Sequence, residues 1–591
     1  MHSSCHKSFI KLYWKHNTQN CAPILNEPIL HYGMVNMIRR SAVSLLLGSS
    51  AIWGLSSINQ AYAASASDAQ ILALQHEMQE MRREMSGQIS VLRQRLVRAE
   101  AHNTPAANAA QARRVAASKG QPLPDSYAQD IHIGGDSGMG GNLGSVMQKA
   151  DLGTPPSDRG VSSSWASFRA ANEKEEAVHM GGMMIGFPGG RPTISSEDGM
   201  YAMSIGLAFH EDIGGFMGMS PRRGETRGDF SSLTENARRL RIPISFRYKD
   251  WIANITPDFG NGSADGSTTL YEANVNYAGF HNTILTAGYF QPRVTEEDSE
   301  SSNEFEMMER PAITDIVRNI AAGDARMSIG GLHYDKRWWI AGYLTGQSYG
   351  ARNGTGVTDS QTGATFRVAG RPYMSKDIDV HVGLSAISAF KVAEKSNGRS
   401  YAFAEGPEVN LTTTKFLNQT VGNVGSIWSA GPELGFRWKR LVLKGEYYHI
   451  GVTRGDNTGG NVGNQQSVNF SGYYGAANYT LFGKGRSYNI KEGAFAAPGV
   501  DHVFDPLHGY WGALELSARY SVADLNSGLN TAGAVRGGQQ TVWSAGLNWY
   551  PNRHFRFMLD FNHIIVSRNS QLYDLVGRDG NSVAGRIQAA F

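Results

Sequence analysis

The stretch that decides the fold is "NARRLRIPISFRYKDW", residues 236–251. Leu240, Ile242, Ile244, Phe246 and Tyr248 fall on one parity, and Arg239, Arg241, Ser245 and Arg247 on the other. A period of two is a strand with one apolar and one basic face. Lys249-Asp250 then interrupts the alternation, and Trp251 opens another run. A soluble sandwich strand could carry the same pattern, so the connections have to discriminate.

Alternating segments meet at tight turns at Lys249-Asp250, Asp335-Lys336, Lys439-Arg440 and Pro551-Asn552. The opposite connections, 211–236, 292–326, 388–424, 452–466 and 567–582, are long. Short turns on one rim and long loops on the other are the asymmetry of an outer-membrane barrel. Tyr248, Trp251, Tyr334, Trp338, Trp438, Trp549 and Tyr550 cluster beside the tight turns, where an interfacial girdle belongs. The pattern predicts an all-β, transmembrane antiparallel β-barrel of about sixteen strands over 199–591. The ending "GRIQAAF" is its last strand, pairing with the first so that no edge is left in lipid. Segment 482–510 breaks the pattern: it is long yet lies on the short-turn side, as a miscounted strand pair or a piece folded into the pore.

Composition agrees. Charged residues are 18% and hydrophobic residues 41% of the chain, with 69 Gly and a net charge of +3. No stretch beyond the N-terminal region has the roughly 18 uninterrupted apolar residues of a spanning helix. The one long apolar run, Ala42 to Ile58, follows Arg39-Arg40 and precedes Ala61-Tyr62-Ala63, the order of a secretory signal over 37–63. Residues 1–36 stand upstream of that signal as a doubtful extension, which places the start at Met37 and leaves the exported chain without cysteine. Cys5 and Cys21 match no zinc spacing.

Residues 64–103 predict a coiled-coil helix. Ile71, Leu74, Met78, Met81, Met85, Ile89, Leu92, Leu96 and Ala99 step by three and four, with one stutter near Met85. So narrow a seam wants partner helices, and hence a cyclic oligomer with the coil in the periplasm. Residues 104–198, rich in Ala, Gly, Ser and Pro, predict a flexible linker.

If the apolar faces meet lipid, the basic faces line the lumen, because a basic residue at mid-bilayer costs about 2–4 kcal/mol. The inward basic set is Arg239, Arg241, Arg247, Arg367, Arg371, Arg437, Lys439, Lys444, Arg519, Arg556 and Arg586; the acidic set is Asp258, Glu272, Asp379, Glu433, Glu446, Glu515 and Asp560. Guanidinium suits phosphate through its planar fork, permanent charge and weak hydration. Arginines and carboxylates on facing strands can equally form a transverse field that braces the pore.

Particular stretches resemble the family of phosphate-selective porins O and P. "NFSGYYGAANYTLFGKGRSY", "GALELSARYSVADLN", "VWSAGLNWYPNRHFRFMLDF" and "VAGRIQAAF" are similar to its C-terminal strands; "GGRPTISSEDGMYAMSIGLAF", "LTENARRLRI" and "AGYFQPRVTEEDSESSNEFEMMERPA" are similar to its first strands and constricting loop. The resemblance spans most of 190–591. It implies a homotrimeric, sixteen-stranded outer-membrane channel for small anions such as phosphate or pyrophosphate, with loops folded inward. It further implies that Ser301 and Ser302 help hold the anion, flanked by Arg293 and Arg310. Two departures stand out: Gln291 where phosphate-specific members place lysine nearby, and "EEDSE", Glu296 to Glu300, beside the serines. Carboxylates there repel a dianion unless a cation pairs with them; alternatively the acidic run points to solvent at the loop's outer edge.

The function that follows is passive diffusion of small hydrophilic solutes through an outer-membrane porin, with anion or phosphate preference. A weakly selective pore for sugars or organic acids is the alternative. No Gly-x-Ser-x-Gly elbow or His-Glu-x-x-His pair signals an enzyme. No cofactor, metal or nucleic-acid partner is expected.

Overall fold

The computed structural model describes residues 153–174, 177–219, 233–260, 268–323, 325–349, 360–395, 398–455, 466–531, 533–567 and 579–591. The signal segment and the coil over 64–103 lie outside the described residues. Sixteen antiparallel strands form the wall: β1 (201–217), β2 (234–248), β3 (Trp251–Asp258), β4 (Thr269–Phe280), β5 (Thr283–Phe290), β6 (Arg326–Tyr334), β7 (Trp338–Ser348), β8 (Thr362–Met374), β9 (Ile378–Lys391), β10 (Val424–Trp438), β11 (Leu441–Arg454), β12 (Val468–Phe482), β13 (Ala513–Ser527), β14 (Val535–Tyr550), β15 (Phe555–Val566) and β16 (Asp579–Ala590). Each pairs with the next, and β16 returns to β1 with Ala590 opposite Ala208 and Asn581 opposite Met217. The ring is closed, so no row of backbone donors is left facing hydrocarbon.

β1 is broken at Gly206-Leu207 and β2 at Ile242-Pro243, where proline has no N–H to give the ladder. Below its break, β1 pairs with Thr193–Ser196, the last strand of a meander whose other strands are Val178–Met180 and Met183–Gly186. Helix α1 (Trp165–Glu173) precedes that meander, its N-cap Ser164 accepting from the Ser167 N–H at 3.1 Å. Residues 153–174 and 177–198 are thus a built part of the molecule, although their composition resembles a linker. Their order comes from contacts with the barrel, which local periodicity does not report.

The wall alternates as expected. Phe246, Tyr248, Leu285, Ile329, Leu344, Leu434 and Leu559 are exposed outward, while Arg239, Arg241, Ser245 and Arg247 are buried inward. Beside the short turns, Tyr201 lies 5.0 Å from Tyr248, and Trp251 lies 4.8 Å from Tyr277, ring centre to ring centre. Two residues of the expected girdle turn inward instead. Tyr334 and Tyr550 are buried, because each sits on the opposite parity from an outward neighbour, as Tyr550 does beside Trp549.

Three long connections fill the lumen; the one between β9 and β10 carries the paired strands Gly398–Glu405 and Leu417–Gly422 and buries Phe403, Leu417 and Val421. After β5 the chain forms α2 (Glu296–Ser299) and α3 (Ala312–Ala321) inside the ring. Ile313, Ile316, Val317 and Ile320, at the spacing of one helix face, pack on Ile387, Ile427, Ile450 and Phe470 of the inner wall. From the short-turn side, the connection between β12 and β13 folds inward as a hairpin of Lys484–Asn489 and Ala494–Gly499. The irregular segment 482–510 is therefore the folded-back piece and no strand pair of the wall.

Candidate functional site

The lumen is crossed by a further element, residues 155–164, which climbs the inner face of β2 from the short-turn rim. At the rim, Asp250 accepts from the Trp165 N–H at 2.7 Å. Further in, Arg247 donates to the Ser163 carbonyl at 2.8 Å, and the Val161 N–H donates to Ser245 at 3.0 Å. The Gly160 N–H donates to Glu272, and a Cβ on Gly160 would lie 2.3 Å from Asn254 Cγ, so glycine is needed while the Asn254 side chain stays in place. The alternation of β2 thus supplies inward polar groups, and the segment bonds to Arg247, Ser245 and Arg241 among them.

At its top sits Asp158, fully buried. Ser301 donates to its Oδ1 at 2.9 Å and Ser302 to its Oδ2 at 2.6 Å, while Arg241 pairs with Oδ2. The Asp158 N–H donates to Ser301 at 3.2 Å. Burial alone would push this carboxyl up, but Arg241, Arg159 and Ser302 hold it below its ordinary value. The serine pair implied to grip an anion therefore grips a carboxylate of this chain. Next to it, Arg159 donates to the carbonyls of Asp298 at 2.9 Å and Ser299 at 3.3 Å.

The acidic run "EEDSE" does not face solvent: Glu296, Glu297, Asp298, Ser299 and Glu300 are all buried. Thr295 caps α2, accepting from the Asp298 N–H at 2.9 Å, and this turn aims the carboxylates at the far wall. There Lys444 meets Glu296 at 3.2 Å, Glu297 at 2.6 Å, Glu300 at 2.7 Å and Glu306 at 2.8 Å. One ammonium has three protons for four carboxylates. Burial raises the Glu300 carboxyl well above its ordinary range, against the pull of Lys444 and with that of its acidic neighbours. Oxygens of Glu296, Glu297 and Glu300 lie within 4.8 Å of one another, the spacing of a cation site, and Lys444 supplies the cation. Asp298 turns the other way, to Arg318 at 2.7 Å and Arg310 at 3.6 Å.

The remaining expected residues divide among three tasks. Arg239 and Arg310 border a cavity of about 220 Å3, together with Arg241 and Ser302. Arg293 pairs with Glu492 of the inward hairpin, at 2.7 Å through Nη2; Arg367 binds Glu433 at 2.9 Å, Ser299 at 2.9 Å and the Gly493 carbonyl at 2.7 Å. Arg519 holds Glu408 at 2.9 Å, and Arg556 donates to the carbonyls of Asn303 and Phe305. Arg367, Arg519 and Arg556 tie inserted elements to the wall, and Arg293 ties the loop after β5 to the hairpin. Arg371 pairs with Asp379 near the short-turn rim, with Arg437 3.9 Å from the same carboxylate. Lys439 is exposed in a tight turn, with φ of 54°, and lines nothing.

Sequence periodicity misses Arg238. Between His210–Arg239 and Glu211–Ala237 the β1–β2 register slips by one, leaving Arg238 as the extra residue of a bulge. Consecutive arginines therefore both reach the cavity, and Arg238 holds Glu309 with distances of 2.6 and 2.9 Å. Burial works against the Glu309 carboxylate, yet Arg238 and Arg239 hold it well below its usual range. Six cationic side chains (Arg238, Arg239, Arg241, Arg310, Arg318, Lys415) and four acidic ones (Glu309, Asp315, Glu405, Glu408) border the cavity, a net cationic lining.

Several solved structures are similar to this chain. The outer membrane channel DcaP of Acinetobacter baumannii is 10% identical, with 67% of this chain and 99% of that one covered and a TM-score of 0.39. An anion-selective porin from Comamonas acidovorans is 9% identical, with coverages of 66% and 100% and a TM-score of 0.38. OmpT of Vibrio cholerae is 10% identical, with coverages of 66% and 99% and a TM-score of 0.37. An uncharacterized protein of Caulobacter vibrioides is 23% identical over 282 residues, 47% of this chain; the match spans 53% of that relative, about half its length. The model of one family, phosphate-selective porin O and P, matches residues 204–591, almost the whole closed ring with the long connections folded into it, and this chain belongs to that family of outer-membrane channels.

Proposed function

We propose that the channel passes small hydrophilic solutes with a preference for anions, phosphate among them, and that it works as a homotrimer whose coil over 64–103 stands in the periplasm. The observation that carries the anion preference is the seat of Asp158. Two hydroxyls and a guanidinium converge on one carboxylate, and the adjoining cavity is lined by more cations than acids. Selectivity of this kind needs only fixed charge and a narrow passage. The acidic run that would oppose it is turned away onto Lys444 and buried. Inorganic phosphate offers the same bidentate acceptor geometry as a carboxylate, with more charge.

The test is electrical. In a planar bilayer under a potassium chloride gradient, the reversal potential should take the sign of chloride permeation, and added phosphate should block the chloride current. A cation-selective potential without block would overturn the reading in favour of a pore for sugars or organic acids.

A further inference from the structure

The passage is divided in two. The cavity of about 220 Å3 on the long-loop side and a smaller one of about 20 Å3 both border Tyr271 and Gln291. Asp158's partners Arg241 and Ser302 line the larger, whereas Arg159 and Gly160 line the smaller. The segment carrying Asp158 to Gly160 stands between them. Its attachments are polar: the inward groups on β2 to β4, the loop serines, Asn303 donating to the Pro156 carbonyl at 2.6 Å, Arg159 bound to the Asp298 and Ser299 carbonyls and to Glu492, and Arg191, which donates to the Arg159 carbonyl at 2.6 Å.

We infer that residues 155–164 form a tethered strap whose Asp158 occupies the anion seat of this channel, so that Asp158 sets selectivity by competition: a permeant anion enters the seat by displacing it. The inference rests on the anion preference proposed above. Its chemistry is exchange between like ligands. A carboxylate accepting from Ser301, Ser302 and Arg241 is replaced by another oxyanion accepting from the same donors, so no buried donor is stranded at either end of the exchange. Because the strap is part of the chain, its competing concentration is fixed by geometry and does not fall on dilution. Weakly held anions are thereby excluded, and a multiply charged oxyanion gains most from the four cationic groups nearby, Arg159, Arg239, Arg241 and Arg310.

Two variants test this with inorganic phosphate as the probe. Asp158→Asn keeps the shape and removes the competing charge. Its half-blocking phosphate concentration should fall about tenfold, the change expected for a seat that Asp158 leaves free about a tenth of the time. The second variant separates displacement from simple charge. Gly160→Cys with Asn254→Cys, in a chain with Cys5 and Cys21 replaced by serine, puts two sulfurs where the glycine hydrogen now faces the Asn254 side chain. Oxidised, the pair should pin the strap, lower the conductance and weaken phosphate block; a reductant should restore both. An unchanged half-blocking concentration in Asp158→Asn, equal conductance of the oxidised and reduced pair, or failure of the pair to oxidise would each overturn the inference. If Asp158→Asn does not assemble, the cysteine pair decides. An anion-selective wild-type channel with no response in either variant defeats the strap alone, whereas a wild-type channel without anion selectivity defeats the reading beneath it.

Discussion

Arg586 on the last strand grips Asp212 on the first, with Nε to Oδ1 at 2.5 Å and Nη2 to Oδ2 at 2.7 Å. The pair is in register across the seam, since Arg586 lies opposite Asp212 in the β16–β1 ladder. The same guanidinium reaches Glu309 at 2.8 Å and the Met308 carbonyl at 2.6 Å, so one side chain closes the ring and anchors the inserted loop. Both partners are buried. Arg586→Met leaves Asp212 without its cation and should cost about 3–5 kcal/mol, the usual result of orphaning one member of a buried pair. Loss of the heat-modifiable folded band on gel electrophoresis at lower temperature would register it. Asp212→Asn, which keeps an acceptor, should cost less.

Lys444 makes a sharper case. Lys444→Met strands Glu296, Glu297, Glu300 and Glu306 in one buried cluster. The loop should then leave the lumen or take up protons, seen as new protease cleavage between Arg293 and Arg310 in the folded barrel. By contrast, Glu306→Gln should be neutral or stabilising, because Lys444 is the one cation paired with Glu306, Glu296, Glu297 and Glu300 alike, and the cluster is over-supplied with negative charge. Equal damage from both substitutions would sink this account.

Much of the wall was legible because a barrel strand answers one question at every residue, inward or outward. Arg239, Arg241, Arg247, Arg367, Lys444, Arg519 and Arg556 all turn inward as the alternation predicts. What periodicity misses is what departs from a regular strand or comes from afar. The bulge at Arg238 adds one residue and breaks parity locally. The face of α3 was readable within the predicted loop, where Ile313, Ile316, Val317 and Ile320 have helical spacing. Residues 155–164 have no periodicity, and their order depends on partners such as Ser302, 144 positions from Asp158.

Lys439 was expected to line the pore, and its turn predicts otherwise. Lys439 and Lys249 each open a tight turn with positive φ, 54° and 51°, a conformation that costs an ordinary L residue roughly 1 kcal/mol. Asparagine tolerates it better and does not loosen the unfolded chain as glycine does. Lys439→Asn should therefore raise stability by up to about 1 kcal/mol while leaving conductance and reversal potential as they are. A changed reversal potential would return Lys439 to the permeation path.

Glu304, buried beside the serine pair, predicts a pH effect of definite sign. Burial pushes its carboxyl up to about 7, against the pull of Arg486, from an ordinary 4.5. Between those values the folded protein keeps a proton that the unfolded chain has released. The group's contribution to stability is therefore unpenalised below about 4.5, worsens as pH rises towards about 7, and stays at its worst above. The full penalty is at most about 3–4 kcal/mol, at about 1.4 kcal/mol per unit. Glu309 and Glu492, held low by their arginines, act in the opposite sense, so the wild-type profile alone does not isolate Glu304. The difference between Glu304→Gln and wild type does. Glutamine should match the wild-type unfolding midpoint near pH 4.5 and exceed it increasingly up to about pH 7. A difference that stays constant across that window would mean that Glu304 remains charged, with Arg486 outweighing burial.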